Sequence, residues 1–242
     1  MRRVTCGGIA RPLAPPLLWH VMRAAPILPI LPLLLLAACG IGDRAPPARP
    51  PASRPAAIAA PTDRETAACF ADLARTGVRY SPIPDRDYGS GCSLIGAVQL
   101  IDVGVPVTGL KGMRCGLARG FTGWARFALI PAARQILGSD LVRLETLGSY
   151  ACRNTIGTAP AYTRRSGHAI GNAVDVSAFI LADGRRVSVR DGWRSADGRE
   201  REFMRIIHAS ACKRFGTVLS PDYNAAHYDH LHLEDDRAGF CR

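Results

Sequence analysis

Lysine is nearly missing from this chain of 242 residues: Lys111 and Lys213 are the only two in a Lys+Arg total of 31. The formal net charge of +11 is therefore carried by arginine, while aromatic residues make up only 7%. No basic stripe interleaved with aromatics occurs, so the pattern that tracks a nucleic-acid backbone is lacking and nucleic acid is not expected as a partner. No Cys-x-x-Cys pair occurs, which argues against a zinc knuckle. There is no internal repeat. The apolar run Ile27–Ala38 is too short and too rich in proline for a permanent membrane span. With 48% hydrophobic residues the chain can bury one ordinary core but hardly two. Residues 1–66 hold eight arginines against three acids, so part of the charge surplus lies outside any expected folded domain. The rest reads as a solvated basic surface, with attraction to an anionic cell envelope as the alternative.

The N-terminal segment carries a targeting pattern. Met22-Arg23 precedes the apolar run, which ends in Leu36-Ala37-Ala38-Cys39-Gly40. That order of charged, hydrophobic and small residues before a cysteine resembles the bacterial lipoprotein processing site, and the start is either Met1 or Met22. The expectation is an exported, periplasmic protein, lipidated at Cys39 and anchored through that lipid to the outer membrane. The alternative is an ordinary cleaved signal with an incidental cysteine. Residues 1–39 read as leader, and 40–62, rich in Pro, Ala and Arg, as an extended tether. Residues 63–242 read as the folded domain.

Within that domain Thr62-Asp-Arg-Glu65 is a capping-box pattern that opens a helix running up to Gly77. Ser93–Val103 reads as one buried strand, Cys115–Leu137 as a helix interrupted at Pro131, and Leu141–Ser149 and Ala173–Leu181 as strands. A turn at Asp183-Gly184 closes a hairpin with Arg186–Val189. Arg199–Phe215 places Phe203, Ile206, Ile207 and Ala211 on one helical face, and short strands are expected around Val218 and Leu231–Leu233. Helices and strands mix without regular alternation, so the class is α+β, with a small, mostly antiparallel central sheet flanked by helices. Cys69, Cys92, Cys115, Cys152, Cys212 and Cys241 are even in number and scattered, which fits up to three disulfides in an oxidising compartment. Cys212–Cys241 is the preferred pair, because it ties the last helix to the tail.

Four of the six histidines fall in two short segments, Ser166-Gly-His168-Ala-Ile-Gly171-Asn-Ala173-Val-Asp175 and His227-Tyr-Asp-His230-Leu-His232. On a strand Asp175 faces one side while Val174 and Val176 enter the core, and Gly171 can turn the His168 loop back by adopting positive φ. His230 and His232 likewise project to one side. His168 and Asp175, completed by either His230 or His232, make a two-His, one-carboxylate set that leaves a position open for water. Zinc in such a site lowers the pKa of bound water to about 7, and the remaining imidazole is placed to take its proton. His208, within a helix, reads as an ordinary polar residue, and His20 lies in the leader.

The pattern Ser166-x-His168-x-x-Gly171-x-Ala173-x-Asp175, followed by His230-x-His232, resembles the signature of the lysostaphin/D-Ala-D-Ala metallopeptidase/sonic-hedgehog group. The region from Cys69 to Cys241 is similar to the bacterial extensin-like C-terminal domain family within that group. The resemblance implies a hedgehog/D-Ala-D-Ala peptidase-like fold, zinc held by His168, Asp175 and His232, and His230 as catalytic partner. His227-x-x-His230-x-His232 also resembles the end of the penicillin-insensitive murein endopeptidases, which makes His227 an assisting residue. Gly148-Ser149-Tyr150-Ala-Cys152-Arg153 is similar to a strand whose arginine contacts substrate, so Arg153 is the candidate for oxyanion or carboxylate recognition. Ser166 is expected to orient a ligand through its hydroxyl. No Glu lies between Val218 and Leu231, where the carboxypeptidase branch carries its base, which favours the endopeptidase-like branch. The expected activity is zinc-dependent cleavage of peptidoglycan stem peptides or cross-links. The alternative is a lipid-anchored wall-binding module with a non-catalytic zinc site.

Overall fold

In a computed structural model, which describes residues 58–156 and 164–242, the capping box at Thr62 forms. The Thr62 hydroxyl oxygen accepts from the Glu65 N–H at 3.3 Å, and the Glu65 carboxylate accepts from the Thr62 N–H at 2.8 Å. The helix it opens, α1 (Asp63–Arg75), buries Cys69 and Leu73. The leader, Cys39 and residues 40–57 of the expected tether lie outside the described residues. Among the described residues no helix is long and apolar enough to cross a membrane.

The architecture is mixed α and β with several sheets. Strands β1 (Arg79–Ile83), β2 (Arg86–Gly89), β3 (Cys92–Leu94), β4 (Ala97–Asp102), β5 (Val107–Thr108) and β6 (Met113–Arg114) lead into helix α2 (Cys115–Trp124). They are followed by β7 (Leu141–Gly148), β8 (Ala173–Leu181), β9 (Arg186–Ser188), the helix Gly198–Cys212, β10 (Thr217–Leu219), β11 (Leu231–Glu234) and β12 (Phe240–Cys241). The largest sheet runs β12-β10-β11-β8-β7-β5, with β9 also paired to β8. Its pairs are antiparallel except β10–β12 and β5–β7.

Three expectations differ from what folds. Ser93–Val103 is two strands, because Gly96 takes φ +58 and lets β3 pair with β2 while β4 pairs with β1. The helix after Cys115 is not interrupted at Pro131. It continues through π turns at Ala125–Leu129 and Ala133–Leu137, and such widened turns tolerate a residue with no N–H to give. Ile206 is 50% exposed, and Met204 takes the place on the buried face beside Phe203, Ile207 and Ala211.

Strand β8 sits at the centre. It pairs with β7 along one edge, and with β11 and then β9 along the other. Val174 and Val176 join Trp124, Phe121, Phe203 and Leu231 in the apolar core, where the Trp124 indole N–H donates to the Ile207 carbonyl at 3.0 Å. Three disulfides form: Cys69–Cys115, Cys92–Cys152 and the expected Cys212–Cys241, with sequence separations of 46, 60 and 29. Chain-entropy reasoning assigns each roughly 4 kcal/mol of stabilisation.

Candidate metal centre

Backbone pairing brings the two histidine-bearing segments together. In the antiparallel β8–β11 ladder His232 stands directly opposite Asp175, so their side chains share one face while Leu231 and Leu233 enter the core with Val174 and Val176. His168 arrives on a short 3₁₀ turn, Gly167–Ile170. Ser166 caps that turn, its hydroxyl oxygen accepting from the His168 N–H at 3.3 Å, so it orients the backbone of His168 and not the imidazole. Gly171 ends the turn at φ +64, the left-handed conformation that sends the chain into β8.

The three side chains converge in a buried cluster. His168 Nε2 lies 3.1 Å from Asp175 Oδ2 and 3.3 Å from His232 Nδ1, and His232 Nδ1 lies 2.7 Å from Asp175 Oδ1. Ligands at zinc bond lengths of about 2.0 Å in a tetrahedron stand roughly 3.3 Å apart, so these spacings match a cation's demands with little adjustment. His168, Asp175 and His232 are 2%, 8% and 6% exposed.

The outer nitrogens are held as well. His168 Nδ1 lies 3.4 Å from the Ser149 carbonyl, an acceptor that would hold a hydrogen on Nδ1 and so release the Nε2 lone pair when a cation replaces the proton shared with Asp175. His232 Nε2–H donates to Glu234 Oε1 at 2.7 Å, which leaves Nδ1 for the site. Acceptors behind ligating imidazoles set tautomer and basicity in metal centres. Glu234 reaches this place because Gly167 has no side chain: a Cβ there would fall 2.7 Å from the Glu234 carboxyl. Glu234 lies just past the His-x-His pattern, outside the Val218–Leu231 stretch. Strand alternation is the signal that identifies it, since two residues on from His232 is the same face.

Electrostatics fit the same donor set. Burial disfavours the charge of Asp175, but hydrogen bonds from His168 and His232 outweigh it and hold the carboxyl well below the usual range. Burial likewise opposes a charged His232, yet Asp175 and Glu234 raise it to about 9. Without a metal, a protonated His232 is thus clamped between two carboxylates. The proton supplies positive charge that a divalent cation among the same donors also provides, so two imidazoles and a carboxylate with a second acid behind them fit a divalent metal ion.

The remaining predicted residues line up beside this cluster. His230 Nε2 is 3.5 Å from Asp175 Oδ1, and its Nδ1–H donates to Asp229 Oδ1 at 2.8 Å. His227 donates from Nδ1 to Asn224 Oδ1 at 2.7 Å, with its ring centroid 5.2 Å from His230 and 5.7 Å from His232. Burial, then the charges of His232 and His230, lower His227 to about 4, so it is neutral at physiological pH. Arg153 is half-buried, makes no hydrogen bond or ion pair with the three-residue cluster among the described residues, and is near enough for its charge to contribute to that lowering. The Cys92–Cys152 disulfide anchors its segment to β3.

Fold and site together define a disulfide-stapled α and β domain built around a buried His/Asp cluster able to hold a metal ion. Residues 67–242 match the family described as extensin-like protein C-terminus, and the chain belongs to that family. No curated protein and no solved structure matches the chain.

Proposed function

We propose that this protein is a zinc-dependent hydrolase of the peptidase group, with a hedgehog/D-Ala-D-Ala peptidase-like fold, that cleaves amide bonds in peptidoglycan stem peptides or cross-links. The observation that carries this reading is the convergence of His168, Asp175 and His232, with His230 adjacent and pointing the same way. Export, lipidation at Cys39 and a periplasmic site of action belong to the same reading, and the three disulfides support an oxidising compartment.

His168 Nε2, an Asp175 oxygen and His232 Nδ1 would hold the ion. When bound, zinc supplies Lewis acidity that polarises a carbonyl and brings the pKa of coordinated water to about 7. The Asp229 carboxylate keeps the hydrogen of His230 on Nδ1, so Nε2 is the base that accepts a proton and returns it to the leaving amine. His227, neutral and half-buried, borders this path without competing for charge. Arg153, whose charge is felt at His227, is the group proposed to pair with a developing oxyanion or a substrate carboxylate.

One observation favours a second reading. His230 Nε2 lies 3.5 Å from Asp175, so a shift of its ring toward the cluster would add a fourth donor, and four protein ligands make a closed, structural zinc site. The domain would then bind wall polymer without turnover. Incubating purified protein with sacculi, with and without a chelator, separates the two. Hydrolysis yields new muropeptides that disappear with chelator, whereas retention on sacculi without new products removes the enzymatic reading. Metal content by mass spectrometry accompanies the assay.

A further inference from the structure

A second site lies in the helical layer and shares no residue with the histidine cluster. Between the end of α1, the outer side of α2 and the residues after the Gly198–Cys212 helix is a cavity of about 340 Å³. Arg75, Arg119, Arg126 and Arg214 all line it, and Asp72 is the only acid among its lining residues. Asp72 is shared: one carboxylate oxygen meets Arg75 and the other accepts from Arg119 at 2.9 Å. Arg126 is held in place by neutral acceptors, the carbonyls of Val103 (2.8 Å) and Thr76. Its position is fixed while its charge stays uncompensated. Arg214 lies over Gly123, where a Cβ would come within 2.6 Å of its Nη1. No hydrogen bond or ion pair to its guanidinium occurs among the described residues.

Four guanidinium groups around one carboxylate, on a cavity wall, leave a large local excess of positive charge. Two further features set this cavity apart from a merely solvated basic face. Thr122, also among the lining residues and 4% exposed, has a hydroxyl oxygen that is itself buried and has no hydrogen-bond partner, leaving an unsatisfied polar atom in the cavity wall. Phe127, beside Arg126, is 77% exposed, an apolar surface next to the charges. A single carboxylate satisfies one planar fork. A doubly charged phosphoryl group, with its several acceptor oxygens, can engage several forks at once.

We propose that this cavity binds a phosphoryl group whose neighbouring apolar portion rests on Phe127. The source is either free phosphate or the headgroup of an anionic phospholipid, and the same side chains recognise both. The full chain is titrated with inorganic phosphate and, separately, mixed with vesicles of phosphatidylglycerol or of phosphatidylcholine. Arg214→Ser removes a cation with no protein partner, so folding, monitored by circular dichroism, is preserved. Binding should weaken roughly tenfold, the scale of one lost charge-assisted hydrogen-bond pair. Gly123→Ala, which displaces the Arg214 guanidinium, should weaken it in the same direction. Arg199→Ser, an exposed arginine outside the cavity, should leave it unchanged. Arg214-dependent binding of inorganic phosphate identifies the free ion as a ligand, and Arg214-dependent binding to phosphatidylglycerol vesicles alone identifies the headgroup. Failure of both probes to bind, or equal weakening by Arg214→Ser and Arg199→Ser, overturns the proposal.

Discussion

Among the described residues three groups bring a histidine nitrogen within 4.8 Å of two further donor-type atoms, and two of them, His168/Asp175/His232 and His208/Cys212/Cys241, share no residue and differ in what they offer a cation. In the first, His168, Asp175 and His232 turn lone pairs or negative charge toward one point, with Ser149 and Glu234 holding the outer nitrogens. In the second, His208 Nε2 lies 3.7 Å from Cys212 Sγ and 3.9 Å from Cys241 Sγ. Those sulfurs are bonded to each other, and a disulfide sulfur is not a thiolate. His208 instead packs against the edge of Trp193 at 5.4 Å, and burial lowers its pKa. Proximity is common to both. Charge, and acceptors behind the imidazoles, belong only to the first.

Replacing His168 or Asp175 by Ala is the harshest way to break this contrast. Either change should abolish stoichiometric zinc binding, read by mass spectrometry, together with release of muropeptides. Retained zinc in either variant would remove the assignment of the first cluster. The Cys212→Ser/Cys241→Ser double variant attacks the second cluster. It should lower unfolding free energy by about 3–4 kcal/mol in denaturant titration, with zinc content of the folded protein unaffected.

Glu234→Gln sharpens the comparison by weakening only the outer support of His232. Zinc affinity should fall roughly 10–100-fold while the fold persists, as competition with a chromophoric chelator would reveal. A proton and a cation also compete for His232 Nδ1. In the metal-free state its pKa is raised from 6.5 to about 9, so its stabilising contribution is complete below 6.5 and fades as pH rises toward 9. That of Asp175, whose pKa is depressed, is present above 3.8 and lost as pH falls further. Between about 6.5 and 9, zinc binding should release one proton from His232, and apparent affinity should climb about tenfold per pH unit. Calorimetry in buffers of different ionisation enthalpy measures this, and a flat profile would mean His232 is not a ligand. His208→Asn should leave zinc affinity within about twofold of the parent, the smallest effect of the set.

Much of the site was legible because its residues follow strand alternation. Val174 and Val176 flank Asp175, and Leu231 and Leu233 flank His232, so the inward and outward faces follow from spacing alone. Glu234 obeys the same rule. What spacing does not carry is the register that sets His232 opposite Asp175, or the fact that Ser166 acts on a backbone N–H. The split at Gly96 and the π turns around Pro131 were also hidden, since each depends on which neighbour the segment pairs with or packs against. The arginine-lined cavity had no sequence signature at all: its residues come from three helical regions, spread among many other arginines.

The sequence by itself determined the local periodicities, the capping box, the even set of scattered cysteines and the donor types available for a metal. Each is encoded within a few residues, where backbone geometry acts directly. Tertiary structure alone decided the pairs Cys69–Cys115 and Cys92–Cys152, which imidazole nitrogens face inward, and that four arginines border one cavity. Those outcomes depend on packing between segments far apart in the chain, and charge and hydrogen bonding acquire direction only once that packing exists.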